Sequence, residues 1–218
     1  MNALTITGLE LARPGGFRLA VPSLTLAQGE QALLVAPSGG GKSTLLHLIA
    51  GLEDPDAGSI SVADMPISSL RGPARDAFRG ATIGMVFQTF NLLHGFSAIE
   101  NLAVAMMFSS VPAATHDSRA RALLAELGID RPEQAVETMS VGQQQRVAVA
   151  RALACRPTLV LADEPTASLD PANAATAIGL LQRACRDHGA ALLCTSHDPS
   201  LRAHFSRVID LAATEAAR

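Results

Sequence analysis

Apolar and polar positions alternate over the first 35 residues in short runs rich in leucine and β-branched side chains. Turn-forming groups interrupt these runs, chiefly Pro14-Gly15-Gly16 and Gln28-Gly29. Alternation with a period of two is typical of strands with one buried face, and such turns connect them. We therefore expect a small antiparallel layer that leads into a central strand, with strands at residues 4–9, 17–21, 23–26 and 31–35.

The apolar spacing becomes helical after a glycine-rich loop. Leu45, Leu46, Leu48 and Ile49 recur at helical spacing, and Gly51 is placed to end the helix. The loop should therefore join a strand to a helix. The following stretch is rich in turn formers, and it predicts only a short strand near 59–62, a polar and basic segment at 71–79, and a strand at 82–87.

The pattern is helical from residue 90 to residue 153. Leu123, Leu124 and Leu127 form a stripe that ends at Gly128, and a second helix is predicted to begin at Ser140. Beyond it, predicted strands at 159–163 and 191–195 flank a helix at 171–187, and 208–211 predicts a last edge strand. This order predicts an α/β architecture with an inserted helical lobe. We expect a single domain over 1–218, with a catalytic core formed by 1–88 and 155–218 and a helical subdomain at about 89–154.

Composition supports a sheet that is covered on both faces. Hydrophobic residues make up 48% of the 218 residues and charged residues 17%, compared with roughly 25% charged in typical soluble domains. The same figures suit a protein that rests against a membrane partner. The length allows one catalytic unit, and no apolar run approaches the ~18 residues that cross a bilayer. The first residues carry no basic stretch leading into an apolar one, so we expect a cytoplasmic location.

Charge and cysteine content argue against two further classes of function. A net charge of −3 provides no bulk attraction for nucleic acid, although a local basic patch could still exist, and no nucleic-acid partner is expected. Cys155, Cys185 and Cys194 lack metal-ligand spacing and are predicted to be free, buried thiols without a chemical role.

The glycine-rich loop predicts a phosphate site. Consecutive backbone N–H groups in such a loop form a concave anion nest, and the next helix directs its positive end to the same point. Lys42 would bridge the β- and γ-phosphates, and the Ser43 hydroxyl would bind Mg²⁺. Ala36 stands where the usual pattern begins with glycine, which is tolerable if its φ stays negative. The alternative is a glycine-rich turn without a ligand. The predicted phosphate-binding residues are Ala36, Pro37, Ser38, Gly39, Gly40, Gly41, Lys42, Ser43 and Thr44.

Four polar side chains follow predicted strands and are expected at the same crevice. Asp163 and Glu164 end one strand, where ligands bind in open parallel sheets. Asp163 is suited to hold Mg²⁺, and Glu164 is suited to activate a water as general base. His197 would contact the γ-phosphate and orient the water, while Gln88 can touch Mg²⁺ or water. The alternatives are a solvated acidic turn and an ordinary surface histidine.

The helix predicted at Ser140 presents a second anion site. Its N–H groups and hydroxyl can bind an anion, yet no phosphate motif of the same chain lies nearby in sequence. A second molecule could supply that phosphate. An ordinary capped helix is the alternative, and the residues from Ser140 to Gln145 alone favour it.

Taken together, these motifs closely resemble the nucleotide-binding subunit of ABC transporters. The resemblance covers nearly the whole chain and is carried by APSGGGKST, Gln88, SVGQQQR, LVLADEP, the residues Ser168-Leu169-Asp170, and His197. It implies a P-loop NTPase core with a mostly parallel central sheet, an N-terminal antiparallel β layer and an inserted α-helical subdomain. VFQTFNLL followed by IENL further resembles the ATPases of lipoprotein-releasing and macrolide-exporting systems.

The resemblance also implies how such a subunit works. Two copies pair head to tail and enclose two ATP molecules, so Ser140, Gly142 and Gln143 would act on the partner's ATP, with residues 168–170 at the dimer seam. Glu164 would be the catalytic base. A separate integral membrane permease would dock beside Gln88. Four of the seven phenylalanines fall in this stretch: Phe87, Phe90, Phe96 and Phe108. Half or more of them could instead fill the core of the helical lobe. The protein would then lie peripherally on the cytoplasmic face of the inner membrane.

Two further departures from that family pattern affect the nucleotide site. Val141 replaces the first glycine of the usual LSGGQ signature, and its β-branch could crowd the partner's nucleotide. Arg13 stands where an aromatic residue usually stacks on adenine. Either the Arg13 guanidinium stacks on the base, or Phe17 substitutes, or the base is loosely held.

Two other classes of function are alternatives to a transporter subunit. A soluble ABC-type ATPase acting on DNA would carry a long coiled coil between Lys42 and Asp163, and one acting on ribosomes would join two cassettes in one chain. A small P-loop kinase would not need the Ser140 helix and would require a lid over its acceptor substrate. The spacing and length favour the transporter reading.

Overall fold

The computed structural model describes residues 1–167, 169 and 171–211, without the side chains of Pro171 and Ala172. The strands are β1 Asn2–Ala12, β2 Arg18–Ala27, β3 Gln31–Val35, β4 Ala57–Val62, β5 Met65–Pro66, β6 Ile83–Val86, β7 Leu159–Asp163, β8 Ala191–Ser196 and β9 Arg207–Asp210. The α-helices are α1 Lys42–Ile49, α2 Gly72–Thr82, α3 Ala98–Met107, α4 His116–Glu126, α5 Val141–Leu153 and α6 Pro171–Asp187.

Five of these strands form a parallel sheet in the order β6-β7-β8-β3-β9. The carboxyl ends of β6, β7, β8 and β3 therefore meet at one edge, and the loops that follow them carry the candidate site residues. The other four strands form an antiparallel layer in the order β2-β1-β4-β5. The α/β fold with a parallel sheet and an N-terminal antiparallel layer is thus confirmed.

Two hydrophobic cores cover the two faces of the parallel sheet. Leu33 and Val160 point into a core shared with α3, α4, α5 and α6. Leu34 and Leu161 alternate with them and point into a second core shared with α1 and the antiparallel layer. Burial on both faces explains why these strands are almost continuously apolar. No helix among the described residues is long and apolar enough to cross a membrane.

Two predictions about local structure were wrong. The predicted break between strands 17–21 and 23–26 is absent, because β2 runs through the exposed Pro22. β2 is an edge strand, where a residue without an N–H loses no ladder bond. The polar stretch at 71–79, for which no helix was predicted, lies largely in α2, which has a proline in its first turn and no fully buried residue. This helix is polar on average, and its Gly72-Pro73 start is typical of a turn, so the sequence carries no clear helix signal there.

Candidate active site

The glycine loop takes the predicted form of a cradle between β3 and α1. Gly39 and Gly41 have φ of 76° and 85°, values that only glycine adopts readily, and Gly41 is the N-cap of α1. A Cβ at Gly40 would lie 3.0 Å from both the Ala36 Cβ and the Pro37 carbonyl oxygen. Ala36 is not among the described non-glycine residues with positive φ, so the condition for its replacing glycine is met.

Lys42 lies across the mouth of this loop. Its Nζ donates to the Ala36 carbonyl at 2.9 Å and to the Pro37 carbonyl at 3.3 Å. The same Nζ lies 3.3 Å from Glu164 Oε1, and both side chains are largely buried. A buried ammonium needs such partners, and here they hold a positive charge where a phosphate would enter.

The acidic strand end is held by a residue that sequence reasoning missed. Thr195 is fully buried in β8, and its Oγ1 donates to Asp163 Oδ1 at 2.8 Å. The same oxygen accepts from the Glu164 N–H at 3.0 Å. Glu164 has a φ of 46°, so this hydrogen bond supports a left-handed backbone at a non-glycine residue. The one feature of the sequence that could have indicated this role is a single hydroxyl at the end of the apolar run ALLCT.

His197 and Gln88 reach the site from the ends of β8 and β6, the two strands that flank β7. His197 donates its N–H to Glu164 Oε2 at 3.2 Å, and its Nδ1 lies 2.9 Å from the same oxygen. The imidazole side chain is 63% exposed and so remains open to a ligand. Together with the glycine loop these residues line a cavity of about 440 Å³, with Ser38, Gly39, Gly40, Gly41, Lys42, Ser43, Thr44, Gln88, Glu164 and His197 in its wall.

Six predicted nucleotide contacts do not line this cavity: Ala36 and Pro37 at the start of the glycine loop, and Arg13, Ser140, Gly142 and Gln143. Arg13 is 44% exposed and forms an ion pair with Glu53, whereas Phe17 lies against the loop, with its Cζ 3.2 Å from the Cβ position of Gly41. Ser140, Gly142 and Gln143 do not line the cavity wall. Ser168 and Asp170 lie outside the described residues.

The Ser140 helix start has the geometry of a capping box. The Gln143 N–H donates to Ser140 Oγ at 3.3 Å, and the Ser140 N–H donates to Gln143 Oε1 at 2.9 Å. Val141 is 50% exposed at this helix start. From the same helix the buried Gln145 donates its Nε2 to the Pro165 carbonyl at 3.1 Å, which ties α5 to the residue after Glu164. The helix start is therefore ordered and solvent-accessible.

Two of the three cysteines, Cys185 and Cys194, are buried free thiols as predicted. Cys155, Cys185 and Cys194 are free thiols, with Cys155 only partly buried. Burial raises the pKa of Cys185 to about 12 and raises the pKa of Cys194 further. Buried thiols of this kind are chemically inert.

Comparison with known sequences agrees with this geometry. A family model described as ABC transporter matches residues 19–167. The lipoprotein-releasing system ATP-binding protein LolD of Gluconobacter oxydans is 44% identical over 187 residues, which cover 85% of this chain and 81% of that protein. LolD 2 of Caulobacter vibrioides is 42% identical over 189 residues, which cover 86% of this chain and 83% of that protein.

Solved structures give the same result. A dimeric post-hydrolysis state of the ATP-binding cassette MJ0796 bound to ADP and Pi has a TM-score of 0.78 and 30% identity, covering 95% of this chain and 93% of that one. CbiO1 from Clostridium perfringens, part of the ABC transporter complex CbiONQ, has a TM-score of 0.80 and 27% identity, covering 90% and 79%. This chain therefore belongs to the ABC transporter family, as an ATP-binding and ATP-hydrolysing subunit.

Proposed function

We propose that two copies of this chain enclose two Mg-ATP molecules and that their closure drives a separate membrane permease. The observation that carries this proposal is the separation within one protomer. The glycine loop, Lys42, Glu164 and His197 line one cavity, and the ordered Ser140 helix start lies outside it. A second copy can bring its own Ser140 helix to the open side of the cavity, and the similar cassette MJ0796 is dimeric.

In this arrangement the residues of the cavity divide the work of hydrolysis. The loop N–H groups and Lys42 bind the phosphates and neutralise charge that develops on the γ-phosphoryl oxygens. Glu164 accepts the proton of the attacking water, because its carboxylate is fixed by His197 and Lys42 at the cavity wall. His197 orients that water and contacts the γ-phosphate. Ser140, Gly142 and Gln143 of the second copy then bind the same phosphate from the opposite side.

The donor set fits Mg²⁺. The Ser43 hydroxyl and the Gln88 amide oxygen line the same cavity as the glycine loop, and the Asp163 carboxylate ends β7 beside Glu164. These are the hard oxygen ligands that Mg²⁺ takes in addition to phosphates and water. When bound, Mg²⁺ would neutralise phosphate charge.

For the adenine, the contacts favour Phe17. The Arg13 guanidinium is paired with Glu53, whereas the Phe17 ring lies beside Gly41 at the start of α1. A ring in that place can stack on a base next to the bound phosphates. We propose Phe17 rather than Arg13 as the residue that contacts the base.

The permease is proposed to bind beside Gln88. Phe96, Met107 and Phe108 lie in or after the segment that follows Gln88, and they are 42%, 70% and 69% exposed, respectively. Phe90 is instead buried in the helical lobe. Several exposed large apolar side chains within one stretch of the chain support a protein contact there. The LolD relatives are ATP-binding proteins of lipoprotein-releasing systems, which supports such a system for this chain. With a permease as its partner, the protein would lie peripherally on the cytoplasmic face of the inner membrane.

The test is the variant Glu164→Gln, which keeps the side-chain shape and removes the base. Loss of a general base lowers turnover by about 10² to 10⁴, while ATP binding should persist and trap the dimer, visible by size-exclusion chromatography with light scattering. Glu133→Gln, an exposed carboxylate paired with Arg121, is the matched control and should hydrolyse ATP normally. Normal turnover in Glu164→Gln would remove Glu164 from its role. An ATP-saturated variant that stays monomeric would contradict the shared site.

A further inference from the structure

The segment after Gln88 has an unfavourable backbone. Phe90 and Asn91 are consecutive non-glycine residues with φ of 58° and 47°. The left-handed region is costly for a residue with a Cβ. Among the described residues one other such pair occurs, Ala63 and Asp64 in the tight turn between β4 and β5. Something must hold this turn in place.

Arg151 of α5 makes the contacts that do so. Its Nη2 donates to the Phe90 carbonyl at 2.7 Å and its Nη1 donates to the Asn91 carbonyl. The planar guanidinium suits two adjacent acceptors. No carboxylate of the described residues forms an ion pair with Arg151, and its burial lowers the pKa of the guanidinium. A partly buried cation is thus used to hold two backbone carbonyls.

α5 connects this turn to two other parts of the site. The helix starts at Ser140, reaches the Pro165 carbonyl through Gln145, and reaches the turn after Gln88 through Arg151. Ten residues of α-helix between Val141 and Arg151 span about 15 Å as one rigid rod. The rod also packs tightly on β6, where a Cβ at Gly84 would lie 2.2 Å from the Ala152 carbonyl oxygen.

We propose that Arg151 is a positioning residue that holds the left-handed turn at Phe90 and Asn91, and thereby fixes Gln88 relative to α5. A displacement of the Ser140 helix start is then transmitted along α5 to Gln88. This inference rests on the proposed role of Gln88 at the Mg-ATP site. It adds Arg151 as the side chain that connects the two ATP sites of the dimer. Through Arg151, α5, whose start contacts the partner's ATP, would adjust the position of Gln88 at the ATP of its own protomer.

The first test measures the turn itself, by hydrogen exchange of a peptide covering residues 87–97 in the purified full chain. Arg151→Ala should raise exchange in this peptide at least tenfold, while the α1 peptide stays protected. Arg151→Lys can reach one carbonyl but cannot bind both, so it should give an intermediate value. Arg119→Ala is the matched control, because Arg119 also donates to two backbone carbonyls, but these belong to Leu153 and Ala154 at the end of α5 and not to the turn after Gln88.

The second test measures catalysis. Misplacement of a reacting group by about 1 Å can cost about 10²-fold in rate, so Arg151→Ala should lower kcat at least tenfold and leave the Kd for ATP within threefold. Gln88→Ala should lower kcat as well, and Arg151→Ala should add less than twofold in the Gln88→Ala background, because both act through one group.

The outcomes separate this inference from the proposed function. Unchanged exchange at 87–97 in folded Arg151→Ala, or fully additive losses of kcat, would overturn the role of Arg151. If Arg151→Ala does not fold, Arg151→Lys decides, and wild-type exchange and kcat in that variant would overturn it. An unchanged kcat in Gln88→Ala would instead refute the role of Gln88, while the exchange result would still decide whether Arg151 holds the turn.

Discussion

At the residue scale, the candidate site depends on one backbone conformation that is unfavourable in isolation. Glu164 has a φ of 46° and its carboxylate is nearly buried. Thr195, His197 and Lys42 hold it from three sides, through its N–H and both carboxylate oxygens. Strained residues persist where surrounding contacts over-determine them, which is common at catalytic positions. The carboxylate therefore has a fixed position before ATP binds.

Removing the Thr195 hydroxyl tests this support. Thr195→Val keeps the shape but leaves the buried Glu164 N–H without its acceptor, at a cost of about 1–3 kcal/mol. The free energy of unfolding in urea should fall by that amount, and ATP turnover should fall about tenfold as Glu164 loses its position. Thr195→Ser retains the donor and acceptor and should remain near wild type in turnover. Wild-type turnover in Thr195→Val would show that the hydroxyl does not fix the base.

The adenine contact is a second prediction at this scale. Base–aromatic stacking contributes about 1–3 kcal/mol, so Phe17→Ala should weaken ATP binding by about tenfold. Arg13→Ala is the control and should change the Kd less than threefold, because Arg13 is paired with Glu53 at the surface. Isothermal titration with ATP in the Glu164→Gln background measures both without hydrolysis. The opposite ranking would assign the base to Arg13.

At the scale of the element, the sequence predicts helices and strands best where the local signals for one element agree with each other. α6 runs from Pro171 to Asp187 as predicted, because its start and its apolar spacing agree. β2 and α2 were mispredicted because edge position and surface exposure depend on tertiary neighbours. Whether a strand can continue through Pro22 depends on whether it lies at the edge of its sheet. Whether the polar segment of α2 forms a helix depends on the surface against which it packs.

The same distinction applies to the site. The glycine loop, Lys42, Glu164 and His197 come together as predicted, because parallel strands place the loops that follow them at one edge. Thr195 and Arg151 were missed, since each acts through a contact with a residue more than 30 positions away in the chain. Such long-range hydrogen bonds leave little trace in local sequence.

The packing of α5 on β6 yields a prediction about elements. Gly84→Ala places a Cβ 2.2 Å from the Ala152 carbonyl oxygen, and the strand and helix must separate. Overpacking of this kind costs about 1–3 kcal/mol of folding free energy. Gly179→Ala on α6 is the control, because its Cβ would lie 3.6 Å from Arg183 Nη1 and alanine favours a helix by about 0.5–1 kcal/mol over glycine. Urea unfolding should rank Gly84→Ala below wild type and Gly179→Ala at or above it.

At the scale of the whole molecule, each protomer carries two different parts of the proposed composite ATP site. One face carries the cavity with Lys42 and Glu164, and another part of the surface carries the capped start of α5. In a symmetric dimer the cavity of each copy can face the α5 start of the other, because a contact from residue i to residue j is repeated from j to i. Two equivalent composite sites follow from one interface.

Mixing two inactive variants tests this composition directly. Lys42→Ala removes the cation from the cavity, and Gly142→Asp places a carboxylate at the helix start, where a Cβ meets no atom within 4 Å and the protomer can fold. Alone, each variant disables both composite sites of its dimer. In a mixed dimer the intact cavity of the Gly142→Asp protomer faces the intact helix start of the Lys42→Ala protomer. Random pairing makes half of the dimers mixed, each with one good site of two, so turnover should recover to about a quarter of wild type.

If instead each protomer hydrolysed ATP alone, Gly142→Asp would stay active by itself, and the mixture would show only the mean of the two separate preparations. Steady-state ATP hydrolysis of each variant and of the equimolar mixture, corrected for the dimer fraction by light scattering, distinguishes these cases. Recovery above both separate preparations requires that one copy complete the site of the other. It is expected because no residue from Ser140 to Gln143 lines the cavity of its own protomer in the described part of the chain.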